Sequence, residues 1–381
     1  MSSTLLTNIG QLVTNDSELG TLSDAALVYD DGKICWVGAK TNAPQADSRI
    51  DAEGRSVIPG FVDSHTHAIF AGDRLNDFLA RMNGTKYASG GISTTVKATR
   101  NASEDELRSH LQNIIAEFTG HGITTFEVKS GYGLDVETES NLLKIAKEFT
   151  SETTFLGAHV VPSEFKEDRR GYIDLVKGEM LEAVAPYSKW IDVFCDNGAF
   201  SVEEAREIII AGQSKGLFGR LHGNQLGDTG GIELAVELGL ASVDHCTFTT
   251  DHQLDLLSAS STVATLLPGA EFSTRSPYPD ARRFYDHGVK VALATDCNPG
   301  SSFITSMPFV IALAVRDMFF TPEQALFAAT MGGADALRRT DIGHLGIGAR
   351  ADIIILNTPS FEYMAYKPGS HLIKQVLVAN P

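Results

Sequence analysis

The chain has 381 residues and a formal net charge of −17, because 48 acidic residues outnumber 31 Lys and Arg residues. A chain this acidic, with no basic cluster, repels phosphate backbones and anionic membrane surfaces, so we expect neither nucleic-acid nor membrane binding. The hydrophobic fraction of 43% is that of an ordinary globular protein with enough apolar mass for a core.

The targeting signals and the cysteines favour a cytoplasmic protein. No apolar run approaches the length of about 20 residues that crosses a bilayer. The N-terminus lacks the basic and apolar regions of a secretory signal. The cysteines at positions 35, 195, 246 and 297 are scattered and form no CxxC pair, which is typical of a reducing compartment rather than a disulfide scaffold.

The two ends of the chain differ in pattern from its middle. Residues 1–56 contain short β-like pieces, and the Asp31 and Gly32 pair between two of them predicts a hairpin. Residues 342–381 contain similar pieces. We therefore expect the two ends to pair into one small β domain, of the sandwich type, beside a larger domain formed by residues 57–341.

The middle of the chain contains eight short apolar runs, most of them followed by polar residues. The runs are continuous rather than alternating, which is typical of buried parallel strands. They span residues 57–62, 123–128, 153–158, 190–194, 217–221, 240–243, 262–267 and 289–294.

Most gaps between these runs carry helical patterns. Ser103 with Glu106, and Ser201 with Glu204, have the spacing of capping boxes that open two of these helices. Further helical patterns span residues 137–149, 232–238 and 251–257. Eight βα units in succession predict an α/β fold of the (β/α)8, or TIM barrel, type, in which functional residues lie at the C-terminal ends of the strands.

His65 and His67 give the sharpest chemical signal. Residues i and i+2 of a strand face the same side, so both imidazoles can reach one metal ion, although an HxH pair alone often arises by chance. His222, His245 and Asp296 follow or end the fifth, sixth and eighth runs. Each alone would be read as an ordinary side chain, but together they suit a catalytic divalent metal with an open coordination position.

The segment PGFVDSHTH at residues 59–67 resembles the first-strand motif of the amidohydrolase superfamily of metal-dependent hydrolases. A narrower resemblance, to ring-opening hydrolases of histidine degradation, covers nearly the whole chain. It rests on segments 65–74, 129–135, 157–162, 193–195 and 296–301. The resemblance implies one zinc or iron ion, with ligands His65, His67, His222 and Asp296.

The resemblance also indicates how many metal ions to expect. Superfamily members with two ions carry a carboxylated lysine at the fourth strand, whereas residues 192–196 of this chain contain no lysine. A mononuclear site follows. Lys129 ends the second run instead, and we expect it to be a structural residue in a salt bridge.

The implied substrate is a small molecule with a carboxylate and a polar ring. Arg74 is a natural partner for the carboxylate because a guanidinium can bind it through two hydrogen bonds. Tyr132 projects from a Gly-Tyr-Gly turn. The full set of implied substrate ligands is Arg74, Tyr132, His159, Gln225, Asn298, Gly300 and Ser301.

The implied reaction is hydrolysis of a C–N bond in a cyclic amide. Asp296 would take the proton of the attacking water and pass it to the leaving ring nitrogen. His245 would hydrogen-bond the water or the developing oxyanion, and His159 would orient the ring or polarise its carbonyl. The family resemblance further implies a homodimer.

Two other functions stay open. Gln225 stands where deaminases of the superfamily carry a proton-shuttling Glu, and Gln cannot ionise, but a nucleobase or aminohydrolase deaminase is the alternative enzyme. A non-catalytic scaffold on the same fold is the second alternative, which the complete ligand set disfavours. Tyr87 resembles an active-site tyrosine of the family, in a loop several residues shorter than the usual pattern.

Overall fold

The structure is a computed structural model that describes residues 3–84 and 91–379. In these ranges it has sixteen strands: β1 Thr4–Val13, β2 Thr21–Asp30, β3 Lys33–Ala39, β4 Ser48–Asp51, β5 Ser56–Pro59, β6 Phe61–Asp63, β7 Ile123–Phe126, β8 Val128–Lys129, β9 Thr153–Ala158, β10 Trp190–Cys195, β11 Phe218–Gly223, β12 Ser242–His245, β13 Val263–Leu266, β14 Val291–Leu293, β15 Ile353–Leu356 and β16 Ile373–Leu377.

The same ranges contain fifteen α-helices. They are α1 Leu75–Met82, α2 Ile92–Asn101, α3 Glu104–Gly120, α4 Val136–Lys147, α5 Arg169–Leu175, α6 Leu181–Val184, α7 Val202–Ser214, α8 Gly231–Glu237, α9 Asp251–Ser258, α10 Pro268–Thr274, α11 Ala281–Asp286, α12 Met307–Asp317, α13 Pro322–Phe327, α14 Gly333–Ala336 and α15 Tyr363–Tyr366. No helix within the described ranges is both long and apolar enough to cross a membrane.

The two ends of the chain share one sheet. Its strand order is β16-β15-β5-β1-β2-β3, with β4 also paired to β1. The predicted hairpin at Asp31 and Gly32 joins β2 to β3. At the far edge of the sheet, the Ile34 N–H donates to Ala349 O at 2.9 Å, so the chain entering β15 also contacts the strand most distant from it. Buried apolar residues from both ends of the chain, among them Leu6 and Ile353, form the hydrophobic core of this unit.

The middle of the chain forms a curled parallel sheet. Strands β8 to β14 lie in sequence order, and β6 pairs with β7 in a separate two-stranded parallel sheet. The ends of β6 and β14 are joined by main-chain hydrogen bonds, from Asp296 N–H to His65 O at 3.1 Å and from His67 N–H to Cys297 O at 2.9 Å. Each of the eight predicted runs overlaps at least one observed strand.

One prediction about these runs is wrong in detail. The run 57–62 does not form a single strand of the parallel sheet, because β5 pairs with β1 and β15 of the small sheet. Only β6 pairs with β7. The chain changes sheets at Gly60, whose N–H donates to Asp352 O at 2.9 Å. A Cβ at Gly60 would press on the Thr124 side chain, so the crossing requires a residue without one.

The predicted helices lie between the strands of the parallel sheet. Ser103 caps α3, with the reciprocal bonds of a capping box to Glu106, and Ser201 caps α7 in the same way with Glu204. The buried face of α7 packs on β10, as α4 does on β9. The predicted helical patterns at 137–149, 232–238 and 251–257 correspond to α4, α8 and α9. This arrangement leaves the C-terminal strand ends to carry the polar side chains.

Candidate active site

Four side chains converge where β6, β11 and β14 end. The Nε2 atoms of His67 and His222 are 3.2 Å apart. Asp296 Oδ1 lies 3.5 Å from His65 Nε2 and 3.6 Å from His67 Nε2. All four side chains are buried. The structure therefore brings together the complete set of metal ligands predicted from the sequence.

Two buried carboxylates orient these histidines. Asp244 Oδ2 lies 2.7 Å from His65 Nδ1, and Asp192 Oδ2 lies 3.0 Å from His222 Nδ1. The hydrogen bond to Asp244 favours the His65 tautomer with its proton on Nδ1, so the Nε2 lone pair of His65 faces the cluster. The Asp192 carboxylate faces the His222 ring as a close ionic contact. In the described part of the chain, His65 Nε2 is buried without a hydrogen-bond partner. Several imidazole nitrogens and one carboxylate aimed at a single point fit a divalent metal ion.

The protonation of the site also suits metal binding. Burial lowers the pKa of His65 and of His67 well below the ordinary value, so both rings are neutral at neutral pH, as ligands must be. For Asp192, burial acts to raise the pKa, but the neighbouring His222 and Lys129 outweigh it and hold the pKa below its ordinary value.

A charged layer lies beneath the ligands. Lys129 Nζ is 2.8 Å from both Glu127 Oε1 and Asp192 Oδ2, and 4.0 Å from Asp244 Oδ2. Arg220 Nη2 is 3.5 Å from Asp244 Oδ2. All of these side chains are fully buried in the centre of the sheet. The prediction that Lys129 forms a structural salt bridge is confirmed.

The charges of this layer were not predicted as part of the site. A signal was present in two of the runs, 190–194 and 217–221, because each of these contains one charged residue within an otherwise apolar strand. Asp192 lies inside β10 and Arg220 inside β11, two residues before His222 and therefore on the same face of the strand. The burial of such charges requires partners, and those partners here are the supports of the metal ligands.

A single pocket opens above the ligands. With the exception of His65, which lies beneath it, all the predicted site residues line this pocket. They are His67, Arg74, Tyr132, His159, His222, Gln225, His245, Asp296, Asn298, Gly300 and Ser301. Ile92, Val160 and Phe194 complete the wall and were not predicted, since apolar lining residues look like core in a sequence. Tyr87 lies outside the described residues.

Arg74 stands at one side of the pocket. Its guanidinium Nε donates to Asp77 Oδ2 at 2.6 Å, and the side chain is largely buried. Nη1 lies beside Gly300, where an added Cβ would be 2.8 Å away. The guanidinium is thus held by one carboxylate while a further nitrogen reaches the pocket, a geometry able to receive a substrate carboxylate.

The loop after β14 is a tight polar turn. Asn298 Oδ1 accepts from the N–H groups of Gly300 at 2.8 Å and Ser301 at 2.7 Å, and Asn298 Nδ2 donates to Asp296 O at 2.6 Å. Both ends of the Asn298 amide therefore shape the loop that holds Asp296. Ser301 Oγ lies 3.4 Å from Asp296 Oδ2 and faces the pocket.

Two further histidines flank the ligands. The His159 ring stacks on His67 with centroids 5.2 Å apart, and its Nδ1 lies 2.9 Å from Gly131 O. Burial lowers the pKa of His159 to about 3, so this ring is neutral at neutral pH. The His245 ring lies 5.4 Å from that of His222, on the other side of the cluster.

Comparison with known proteins places this fold and site in a class. Residues 56–376 match the model of the amidohydrolase family. The triazine hydrolase from Arthrobacter aurescens superposes with a TM-score of 0.77 at 16% identity, covering 100% of this chain and 94% of that chain. A likeness at that identity shows a shared fold.

Sequence relatives narrow the class. The imidazolonepropionase of Salinispora tropica is 58% identical over 99% of this chain and 98% of that protein. The imidazolonepropionase of Streptomyces griseus is 55% identical over 99% of this chain and 98% of that protein. The chain therefore belongs to the amidohydrolase family and, within it, to the imidazolonepropionase family.

Proposed function

We propose that the pocket hydrolyses a ring C–N bond of 4-imidazolone-5-propionate to give N-formimidoyl-L-glutamate, a step of histidine degradation. Family membership makes the protein a hydrolase of C–N bonds in cyclic amides that acts on a small molecule. The observation that supports this pocket as the place of reaction is the convergence of buried ligand atoms: the Nε2 atoms of His65 and His67 face Asp296 Oδ1, and His222 Nε2 lies beside that of His67.

The donor set suits one divalent ion, zinc or iron. The proposed ligands are His65, His67, His222 and Asp296. These residues would hold the ion, which would supply a water activated for nucleophilic attack at neutral pH. Lys129 is not available as a carboxylated lysine for a second ion, because its ammonium already pairs with Glu127 and Asp192.

The proton transfers are assigned to this chain's own side chains. Asp296 directs Oδ1 at the histidines and keeps Oδ2 beside Ser301 Oγ. Its carboxylate is placed to take the proton of the attacking water and to deliver it to the leaving ring nitrogen. His245 hydrogen-bonds the water or the developing oxyanion, and His159 orients the ring or polarises its carbonyl.

The remaining lining residues hold the substrate. Arg74 binds its carboxylate, and Tyr132 and Gln225 contact the ring. The main chain of Gln225 is fixed by its N–H, which donates to Asp196 Oδ2 at 2.7 Å, so the side chain faces the pocket from a rigid loop. Asn298, Gly300 and Ser301 form a polar part of the pocket wall next to Arg74.

We further propose that the parallel sheet closes into a complete barrel beside a small β domain. Eight strands, with β7 and β8 counted as one interrupted strand, close into a (β/α)8 barrel through the bonds between 65–67 and 296–297. Residues 1–56 and 342–381 form the small β-sandwich domain and 57–341 the barrel domain, with the stretch 57–59 reassigned to the small sheet.

We also propose that the protein is cytoplasmic, consistent with the free cysteines and the charge of −17. We propose a homodimer because the family resemblance implies one.

The reaction is tested with metal-replete protein and 4-imidazolone-5-propionate, by following the loss of ring absorbance. We expect formimidoylglutamate to form, and its formation to stop on chelation and resume when metal is restored. No turnover in protein that holds about one equivalent of metal would contradict the assignment. Ammonia release from a purine, pyrimidine or triazine would favour the deaminase alternative.

Replacement of Gln225 with alanine separates substrate binding from metal binding. We expect KM to rise by about 10-fold or more, on the scale of one lost hydrogen bond to a bound polar group, with metal content unchanged. The matched control is Gln112→Ala on the exposed face of α3. A parallel loss of metal would mean that Gln225 supports the ligands instead.

Replacement of Gly91 with alanine tests the role of Arg74. Gly91 has φ −69° and ψ −13°, which alanine adopts without strain, but a Cβ there would collide with the Arg74 guanidinium. We expect KM to rise by about 10-fold or more, because the displaced cation loses its alignment with the substrate carboxylate. Gly120→Ala, at a position with open space, is the control; an unchanged KM for Gly91→Ala would remove Arg74 from the substrate site.

A further inference from the structure

The turn that carries Tyr132 into the pocket is held by one buried carboxylate. Glu139, on α4, accepts from the N–H of Gly131 at 3.0 Å, from that of Gly133 at 2.7 Å and from that of Leu134 at 2.8 Å. The side chain is fully buried, and it does not line the pocket. One acceptor group thus satisfies most of the main-chain donors of residues 131–134, which here belong to no strand or helix.

This turn has a backbone that needs outside support. Gly131 has φ +106° and Leu134 has φ +57°, a region that leucine rarely adopts. A strained conformation persists only where surrounding contacts fix it, and such positions cluster at functional sites. The Leu134 N–H is among the groups bound by Glu139. The carboxylate is therefore the contact that specifies this path of the chain.

The turn controls two pocket residues rather than one. Tyr132 is part of it, and its ring centroid lies 5.4 Å from that of His159. His159 Nδ1 lies 2.9 Å from Gly131 O, so the carbonyl between the Glu139-bound amides fixes the tautomer of that ring. A displaced Gly131 would release the His159 ring and move Tyr132 at the same time.

The packing around the turn allows little movement while Glu139 is in place. A Cβ on Gly131 would lie 2.9 Å from Leu156 O and 3.0 Å from His159 Nδ1. On the outer side, Arg100 Nε donates to Gly133 O at 2.6 Å. Burial raises the pKa of Glu139 above its ordinary value, although hydrogen bonds from the Ser130 side chain and then from the N–H groups of the turn act to lower it.

We propose that Glu139 is a positioning residue for substrate binding, which acts through the 131–134 turn on Tyr132 and His159. This inference rests on the proposed function, because those two side chains matter as substrate ligands. Glu139 touches neither the pocket nor the proposed metal ligands. Its removal should therefore spare metal binding while it disturbs the substrate side of the pocket.

The kinetic test compares Glu139→Gln with wild type. The Gln side chain keeps one oxygen for Gly133 and Leu134, but its NH2 group opposes the Gly131 N–H. We expect kcat/KM to fall by about 10-fold to 100-fold, mainly through KM, with metal content and melting temperature close to wild type. We expect a larger fall in kcat/KM for Glu139→Ala. Glu137→Gln, an exposed carboxylate two residues away on α4, is the matched control and should behave as wild type.

A double-mutant cycle distinguishes positioning from general support. If Glu139 acts through His159, the losses from Glu139→Gln and His159→Gln should not multiply, because the second change removes what the first one displaces. Two single losses of about 10-fold would then combine to far less than 100-fold. Fully multiplicative losses would overturn the proposal, as would wild-type kinetics in Glu139→Gln or a KM effect that comes with equal loss of metal and of stability.

A spectroscopic readout is independent of turnover. The Nδ1 proton of His159, hydrogen-bonded to Gly131 O, should give a protected ring N–H signal in a 15N-histidine-labelled protein, assigned by its absence in His159→Gln. We expect the signal to shift or broaden in Glu139→Gln and in Glu139→Ala but not in Glu137→Gln. If wild type fails to turn over 4-imidazolone-5-propionate, the proposed function fails, and this signal alone then decides whether Glu139 holds the turn; an unchanged signal would overturn the inference.

Discussion

Replacement of His65 with alanine is expected to abolish both metal binding and ring opening. The side chain is fully buried, and its Nε2 faces Asp296 Oδ1 at 3.5 Å. Its Nδ1 is held by Asp244, so the ring is fixed in the orientation that a ligand needs. Metal-assisted catalysis contributes several kcal/mol, so we expect activity to fall by more than about 1,000-fold.

The measurement pairs metal analysis with kinetics. Metal per chain in His65→Ala should fall to less than about a tenth of the wild-type value after dialysis, because the remaining ligands no longer form a closed set. His252→Ala, on the exposed face of α9, is the control for loss of an unrelated histidine. A full equivalent of metal in active His65→Ala protein would rule out the proposed centre.

The supporting carboxylate should give a smaller, graded effect. Asp244→Asn preserves the shape of the side chain but weakens the hydrogen bond that it accepts from His65 Nδ1–H. Loss of such a support typically costs about 10-fold to 100-fold in metal affinity. A competition titration with a chromogenic chelator measures this, and saturating metal should restore much of the activity. An affinity equal to wild type would show that the strand alone fixes the ring.

The strands of the parallel sheet could be predicted from the sequence because they are buried on both faces. Strands such as β9 and β10 are buried on both faces, because helices cover one side and other strands' side chains the other, so they appear as largely apolar runs. The run 57–62 is equally apolar but serves two sheets. Nothing in its residue types distinguishes the part that pairs with β1 from the part that pairs with β7. The hydrogen bond from Gly60 to Asp352, which separates them, joins positions almost 300 residues apart.

The site residues, too, could be predicted where the signal lies within one strand, but not where it depends on contacts between distant strands. His65 and His67 could be recognised because their i, i+2 spacing is a local property of a strand. The partnership of Asp244 with His65 could not, because it depends on which strands are opposite each other across the sheet. Register places His222 beside Asp244, and Gly223 beside His245. Only that register shows that Asp244 points inward to support a ligand from another strand.

Replacement of Lys129 with methionine tests the charged layer itself. The ammonium lies between Glu127 and Asp192, at 2.8 Å from each, and all three side chains are fully buried. Burial acts to lower the pKa of Lys129, but the charges of Asp192 and Glu127 outweigh it and raise the pKa, so the group is charged at neutral pH. Methionine fills the volume but leaves both carboxylates without their ammonium partner. Breaking a buried pair in this way costs about 3–5 kcal/mol of the free energy of unfolding.

Urea unfolding of metal-free protein measures this cost without the contribution of bound metal. Lys97→Met, an exposed lysine on α2, is the matched control and should change the free energy of unfolding by less than about 0.5 kcal/mol. Adding Glu127→Gln to Lys129→Met should recover part of the loss, because it removes one of the unpaired charges. If Lys129→Met is instead as stable as wild type, the carboxylates take up protons or water at little cost. In that case the layer would serve to orient the metal ligands rather than to stabilise the fold, and metal affinity would be the property that falls.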